Sequence, residues 1–147
     1  MLITKENTMN IKVNIKQLGK KKAAVEAENF PIETCPETVK DLIAASVHTC
    51  VNDYNERVRK GETASPLTEE EITGMSQIGK IAFGINYGGR EANEEEAVKA
   101  ALLAYEDGLF RIFLGENEAG GLDDSINLTE NDEVTFIKLT MLSGRLW

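Results

Sequence analysis

Apolar and polar residues alternate from residue 10 onward, with Ile11, Val13 and Ile15 pointing one way and Lys12, Asn14 and Lys16 the other. A period of two marks a strand with one face in the core and one in water. Leu18-Gly19-Lys20-Lys21 supplies a turn whose glycine can take a positive φ, and Ala23 to Phe30 alternates again through Ala23, Val25 and Ala27. An N-terminal hairpin is expected. From Val39 the spacing changes to threes and fours. Val39, Leu42, Ile43, Ser46, Val47, Cys50, Val51 and Tyr54 draw one stripe along about five turns of helix. Thr34-Cys35-Pro36-Glu37 reads as the helix start, with Thr34 as cap, Pro36 in the first turn and Glu37 closing a capping box. This helix is expected to pack across a sheet, with Cys50 as a small buried side chain and His48 on a different face.

Arg57 to Pro66 is polar and reads as a loop. Thr68 and the glutamates at 69–71 open a second helix through Ile72, Met75, Ile78 or Gly79, Ala82 and Phe83, weakened by Gly74 and Gly79. The glycines at 84, 88 and 89 end it. Asn93-Glu94-Glu95-Glu96 caps a third helix with a face of Val98, Ala101, Leu102 and Tyr105, stopped by Asp107-Gly108. Leu109 to Leu114 is apolar at all positions but Arg111, the pattern of a central strand covered on both faces. Phe110, Ile112 and Leu114 share one of those faces; Leu109, Arg111 and Phe113 share the other. Gly115 to Gly121 reads as a loop, Ile126 and Leu128 as a short edge segment, and Asn131-Asp132 as a turn into a last strand from Val134 to Leu142. Between Phe136 and Ile137 the apolar phase of that strand slips, which predicts a bulge or burial on both faces.

The chain has 147 residues, enough for a single domain with its own core; residues 1–8 read as a loose extension before Met9. Sixteen Lys and Arg against twenty-five Asp and Glu give a net charge of -9, which repels nucleic acid and anionic membrane. Lys20-Lys21-Lys22 is a solvated turn. Cys35 and Cys50, with one histidine in the chain, cannot build a zinc site from Cys and His alone, and they read as structural thiols. No apolar run has signal-peptide or membrane-span character, so a cytoplasmic protein is expected.

Candidate chemistry is sparse. Glu69 to Glu71 and Glu94 to Glu96 are explained as favourable charges at helix N-termini and need no metal. Asp123, Asp124, Asn127, Glu130 and Asp132 lack the spacing of a calcium loop and read as a turn-rich surface. No nucleophile carries a recognisable local motif, so no catalytic residue, cofactor or metal is assigned. Binding is expected in the loop Phe83 to Arg90, where Tyr87 and Arg90 are recognition candidates, and in the tail Arg145, Leu146 and Trp147. A terminal Trp can equally pack over a sheet edge.

The order hairpin, long helix, two strands, ending in Asn131-Asp132-Glu133-Val134, Phe136-Ile137 and Ser143-Gly144, resembles the β-grasp of ubiquitin and of small bacterial sulfur carriers. The resemblance covers about residues 10–54 and 107–145. It implies an α+β fold: a mixed four- to five-stranded sheet packed by one long helix, here with a two-helix insertion at about 60–106. A β-grasp serves as carrier, modifier or docking module alike. Carrier chemistry uses a terminal glycine carboxylate, so a modifier or sulfur carrier would need processing to Gly144. The expected function is a non-enzymatic module that binds another protein, with the modifier or carrier as the alternative.

Overall fold

In the computed structural model, which describes residues 9–17, 19, 21–59, 78–83 and 92–139, Ile11, Val13 and Ile15 are fully buried on β1 (Met9–Gln17). Gly19 takes the turn with φ +87°, and β2 (Val25–Ile32) returns antiparallel, burying Val25, Phe30 and Ile32. The apolar stripe becomes α1 (Val39–Arg59), whose Val39, Leu42, Ile43, Val47 and Cys50 are sealed from solvent. A π-helical turn (Ile78–Ala82) and α2 (Glu94–Glu106) follow, then β3 (Phe110–Leu114), β4 (Asn117–Glu118) and β5 (Glu133–Lys138).

The fold is α+β, with five strands in one mixed sheet of order β2-β1-β5-β3-β4. β1 and β5 run parallel, with Val13 beside Val134 and Ile15 beside Phe136. Strands that pair in parallel need a long crossover, and the chain between them contains both helices. β5 also pairs antiparallel with β3, placing Ile112 beside Phe136. The first and last described strands therefore meet at the middle of the sheet. Phe83, behind the π-helical turn, meets Phe136 and Phe110 edge-on, with ring centroids 5.4 and 6.0 Å away. Such geometry sets the positive edge of one ring against the negative face of the next.

Several boundaries differ from the sequence reading. α1 begins at Val39 because Thr38, not Thr34, is its cap: Thr38 Oγ1 accepts from Asp41 N at 3.1 Å. Two more N–H groups of the first turn, on Val39 and Lys40, donate to the carbonyls of Asp124 and Leu122 at 3.1 and 2.9 Å. Glu37 closes no box; its N–H points to Asp41 Oδ2. The expected helix from Thr68 falls on described residues only at 78–83, where the form is π rather than α. α2 matches its reading: Asn93 Oδ1 accepts from Glu96 N at 2.9 Å, and Gly108 with φ +78° ends the helix. Ala101 is fully buried there, and Val98, Leu102 and Tyr105 pack on the core.

On the sheet, β5 rather than β3 holds the central place. The expected loop after Gly115 contains β4, which pairs Asn117 and Glu118 with Leu114 and Phe113. Ile126 and Leu128 form no edge strand; only Ser125 bridges, to Thr38, while Leu128 is buried. β5 pairs without a register shift on either side, so the phase change after Phe136 is not a bulge among the described residues.

Candidate functional site

Alternation assigns every strand residue to a face. The helix-covered face takes Ile11, Val13, Ile15, Phe110, Ile112, Val134 and Phe136 into the core. On the opposite face stand Lys12, Asn14 and Lys16 of β1, Thr135 and Ile137 of β5, and Arg111 and Phe113 of β3. Strand register aligns them in rows: Lys16 beside Ile137 and Ile137 beside Arg111; Asn14 beside Thr135, Thr135 beside Phe113 and Phe113 beside Glu118. Phe113 and Ile137 are thus diagonal neighbours on adjacent strands, close enough for an aromatic and a branched side chain to touch.

Both are only half-buried, and neither belongs to the core cluster. Around them the face is polar and partly fixed. Asn14 Nδ2 donates to Glu133 Oε2 at 2.8 Å and to Thr135 Oγ1 at 3.2 Å. Arg111 Nη1 donates to Glu118 Oε2 at 3.4 Å and stays 55% exposed along its side chain, and Lys12 bonds Asn29 Oδ1. Lys16 is exposed. In a chain of net charge -9, this face brings Lys12, Lys16 and Arg111 together with Glu118 and Glu133, while Glu130 bonds Asn10 and exposed Glu26 follows buried Val25 at its far side. An apolar pair ringed by cations can bury a partner's apolar side chain while drawing its carboxylates to the rim.

The binding residues expected from sequence, Tyr87, Arg90, Arg145, Leu146 and Trp147, all lie outside the described residues. The open face was legible only in part. Periodicity placed Lys12 and Lys16 opposite the core and put Arg111 and Phe113 together on one face of β3, but that face was expected to be covered and instead leaves Arg111 exposed and Phe113 half-buried. Which strands lie side by side is not a local property, so the Phe113–Ile137 pairing was not visible. Elsewhere, Cys50 is buried on the core face of α1 and Cys35 exposed, neither in a disulfide. Two acids of the 117–132 segment are occupied with their own turns: Asp124 Oδ2 accepts from Gly121 N at 3.0 Å, and Asp132 accepts from Thr129 N and Oγ1. Among the described residues no cluster of His, Cys, Asp and Glu is arranged to hold a metal ion, and no helix is long and apolar enough to cross a membrane. Against protein-family models, curated proteins and solved structures, the chain matches none.

Proposed function

We propose that this chain is a ubiquitin-like β-grasp that works as a non-enzymatic protein-interaction module, docking a partner on the helix-free face of its sheet. The fold assignment is supported by the hairpin β1–β2, the crossover through α1 and the parallel β1–β5 pair at the centre of the sheet. The observation that carries the function is the half-buried pair Phe113 and Ile137 bounded by Lys12, Lys16 and Arg111 in an otherwise acidic protein. The partner is a protein segment that offers an apolar side chain to that pair and carboxylates to those cations. Neither cysteine is in a disulfide, which suits a reducing compartment such as the cytoplasm.

A photo-crosslinking residue at position 137, compared with one at exposed Glu106 on α2, tests this in the native cell. A discrete adduct from position 137 that disappears in the Lys16→Glu/Arg111→Glu double variant is the expected result. Equal labelling from both positions, or an adduct untouched by charge reversal, would overturn the reading.

A further inference from the structure

His48 projects from α1 between two carboxylates contributed by different parts of the chain. Its Nδ1 lies 2.9 Å from both Oε1 and Oε2 of Glu94, the first residue of α2. Its Nε2 lies 3.2 Å from Oε2 of Glu33, just past the end of β2. An ionised carboxylate only accepts hydrogen bonds, so each ring nitrogen needs its own proton to bond its partner. Neutral imidazole carries one N–H and would turn the lone pair of its other nitrogen toward a negative oxygen. Only the imidazolium satisfies both sides. Since the two glutamates approach opposite ring nitrogens, they do not converge on a point where one ion could replace the proton.

The surroundings reinforce this. The connection from β2 brings Glu33 and Cys35 to the same cleft, α1 itself brings Asp41, and α2 brings Glu94 with Glu95 and Glu96 in the same turn. Partial burial works against the charged ring, but the hydrogen bonds to Glu94 and Glu33 more than offset it, and the pKa of His48 is raised above its ordinary value. Two turns along α1, Asn55 holds Ala92 by both backbone groups, donating to its carbonyl at 3.0 Å and accepting from its N–H at 2.7 Å. That second anchor has no titratable group. The entry to α2 is therefore held at one point that depends on a proton and at another that does not.

We propose that His48 is a protonation-dependent clamp: as imidazolium it ties the first turn of α2 and the β2–α1 connection to α1, and on losing its proton it lets Glu94 go while Asn55 keeps the segment docked. A group whose folded pKa is raised stabilises fully below its unfolded value, about 6.5, and that contribution is lost as pH rises through the folded value. The clamp is thus closed below about pH 6.5 and opens as pH rises through the raised folded value. It involves none of the residues of the open sheet face.

Nitrogen NMR of the His48 ring in the full chain, together with amide exchange at Ala97, whose N–H bonds Asn93 O at 3.0 Å, tests the clamp. Expected are two ring N–H groups below the midpoint, a midpoint above that of free histidine, and a lower midpoint in both Glu94→Gln and Glu33→Gln. Protection at Ala97, corrected for base catalysis, should fall several-fold through the same midpoint, and in His48→Gln it should be low throughout and independent of pH. A ring titrating at or below the ordinary value, or protection at Ala97 unchanged through the titration, would overturn the proposal.

Discussion

Asn14 Oδ1 accepts the backbone N–H of Ala27 at 2.8 Å, and Ala27 stands at φ +48° where β2 carries one residue more than β1 opposite it. The extra residue turns an N–H away from the ladder, and the Asn14 amide takes the place of the missing backbone partner. Its other end donates to Glu133 and Thr135 on β5, so one buried side chain joins both neighbours of β1.

Removing that side chain strands the bulge N–H. Asn14→Ala should therefore lose about 2 kcal/mol of unfolding free energy in urea, within the range for a buried donor left without a partner. Asn14→Asp keeps the acceptor for Ala27 but places a carboxylate against Glu133; its deficit should shrink as pH falls and the acids take up protons. Ala27→Gly should gain roughly 0.5–1 kcal/mol, because a Cβ at positive φ is strained and glycine is not. An Asn14→Ala protein as stable as the parent would show that water replaces the side chain at the bulge.

Why Asn14 escaped the sequence reading is instructive. Alternation assigned it correctly to the face away from Ile11, Val13 and Ile15, and a polar residue on that face reads as wet. Its burial comes from a bulge on a neighbouring strand and a carboxylate more than a hundred residues along the chain, and neither leaves a trace in the local pattern. The same division runs through the molecule. The stripe from Val39 to Tyr54, the Asn93 cap and the glycine stop at Gly108 are written in consecutive residues and were legible. That β5 lies between β1 and β3, and so brings Ile137 against Phe113, is a matter of strand order that periodicity does not encode.

The start of α1 gives a direct test of local reading against tertiary context. Thr34 sits before a proline and has the sequence signature of a cap, yet Thr38 bonds Asp41 N, and the loop carbonyls of Asp124 and Leu122 complete the first turn. Those loop contacts exist only in the folded chain. Thr38→Ala should cost about 1 kcal/mol, the usual loss for an N-cap hydroxyl, and Thr34→Ala close to nothing. Paired thermal melts settle which threonine caps the helix; equal shifts would restore the sequence assignment.

Ser46 occupies the middle of the buried stripe of α1, fully enclosed, and its Oγ has no hydrogen-bond partner among the described residues. A hydroxyl taken out of water without compensation is a standing cost, and serine is also a poorer helix former than alanine. Ser46→Ala should raise unfolding free energy by about 1 kcal/mol. Ser46→Val should do worse than Ser46→Ala, since the added methyl groups enter a position already sealed from solvent. A destabilised alanine variant would mean that the hydroxyl has a bound water as partner.

The two thiols should differ sharply in reactivity. Cys50 is buried on the core face of α1 among apolar side chains; desolvation, with Asp53 adding its negative charge, pushes its pKa well above the ordinary thiol range. The thiolate is the nucleophile, so burial removes both access and the reactive form. Cys35 is exposed on the connection before α1, its Sγ 3.8 Å from the carbonyl of Leu128. A native protein treated with a thiol-specific alkylating reagent near neutral pH should gain one adduct, mapped to Cys35, and a second only after denaturation. Raising the pH within the folded range should not recruit Cys50. Labelling of Cys50 at a rate that follows denaturant concentration would measure the opening of the α1 core, while its prompt labelling in native buffer would contradict the packing of α1 against the sheet.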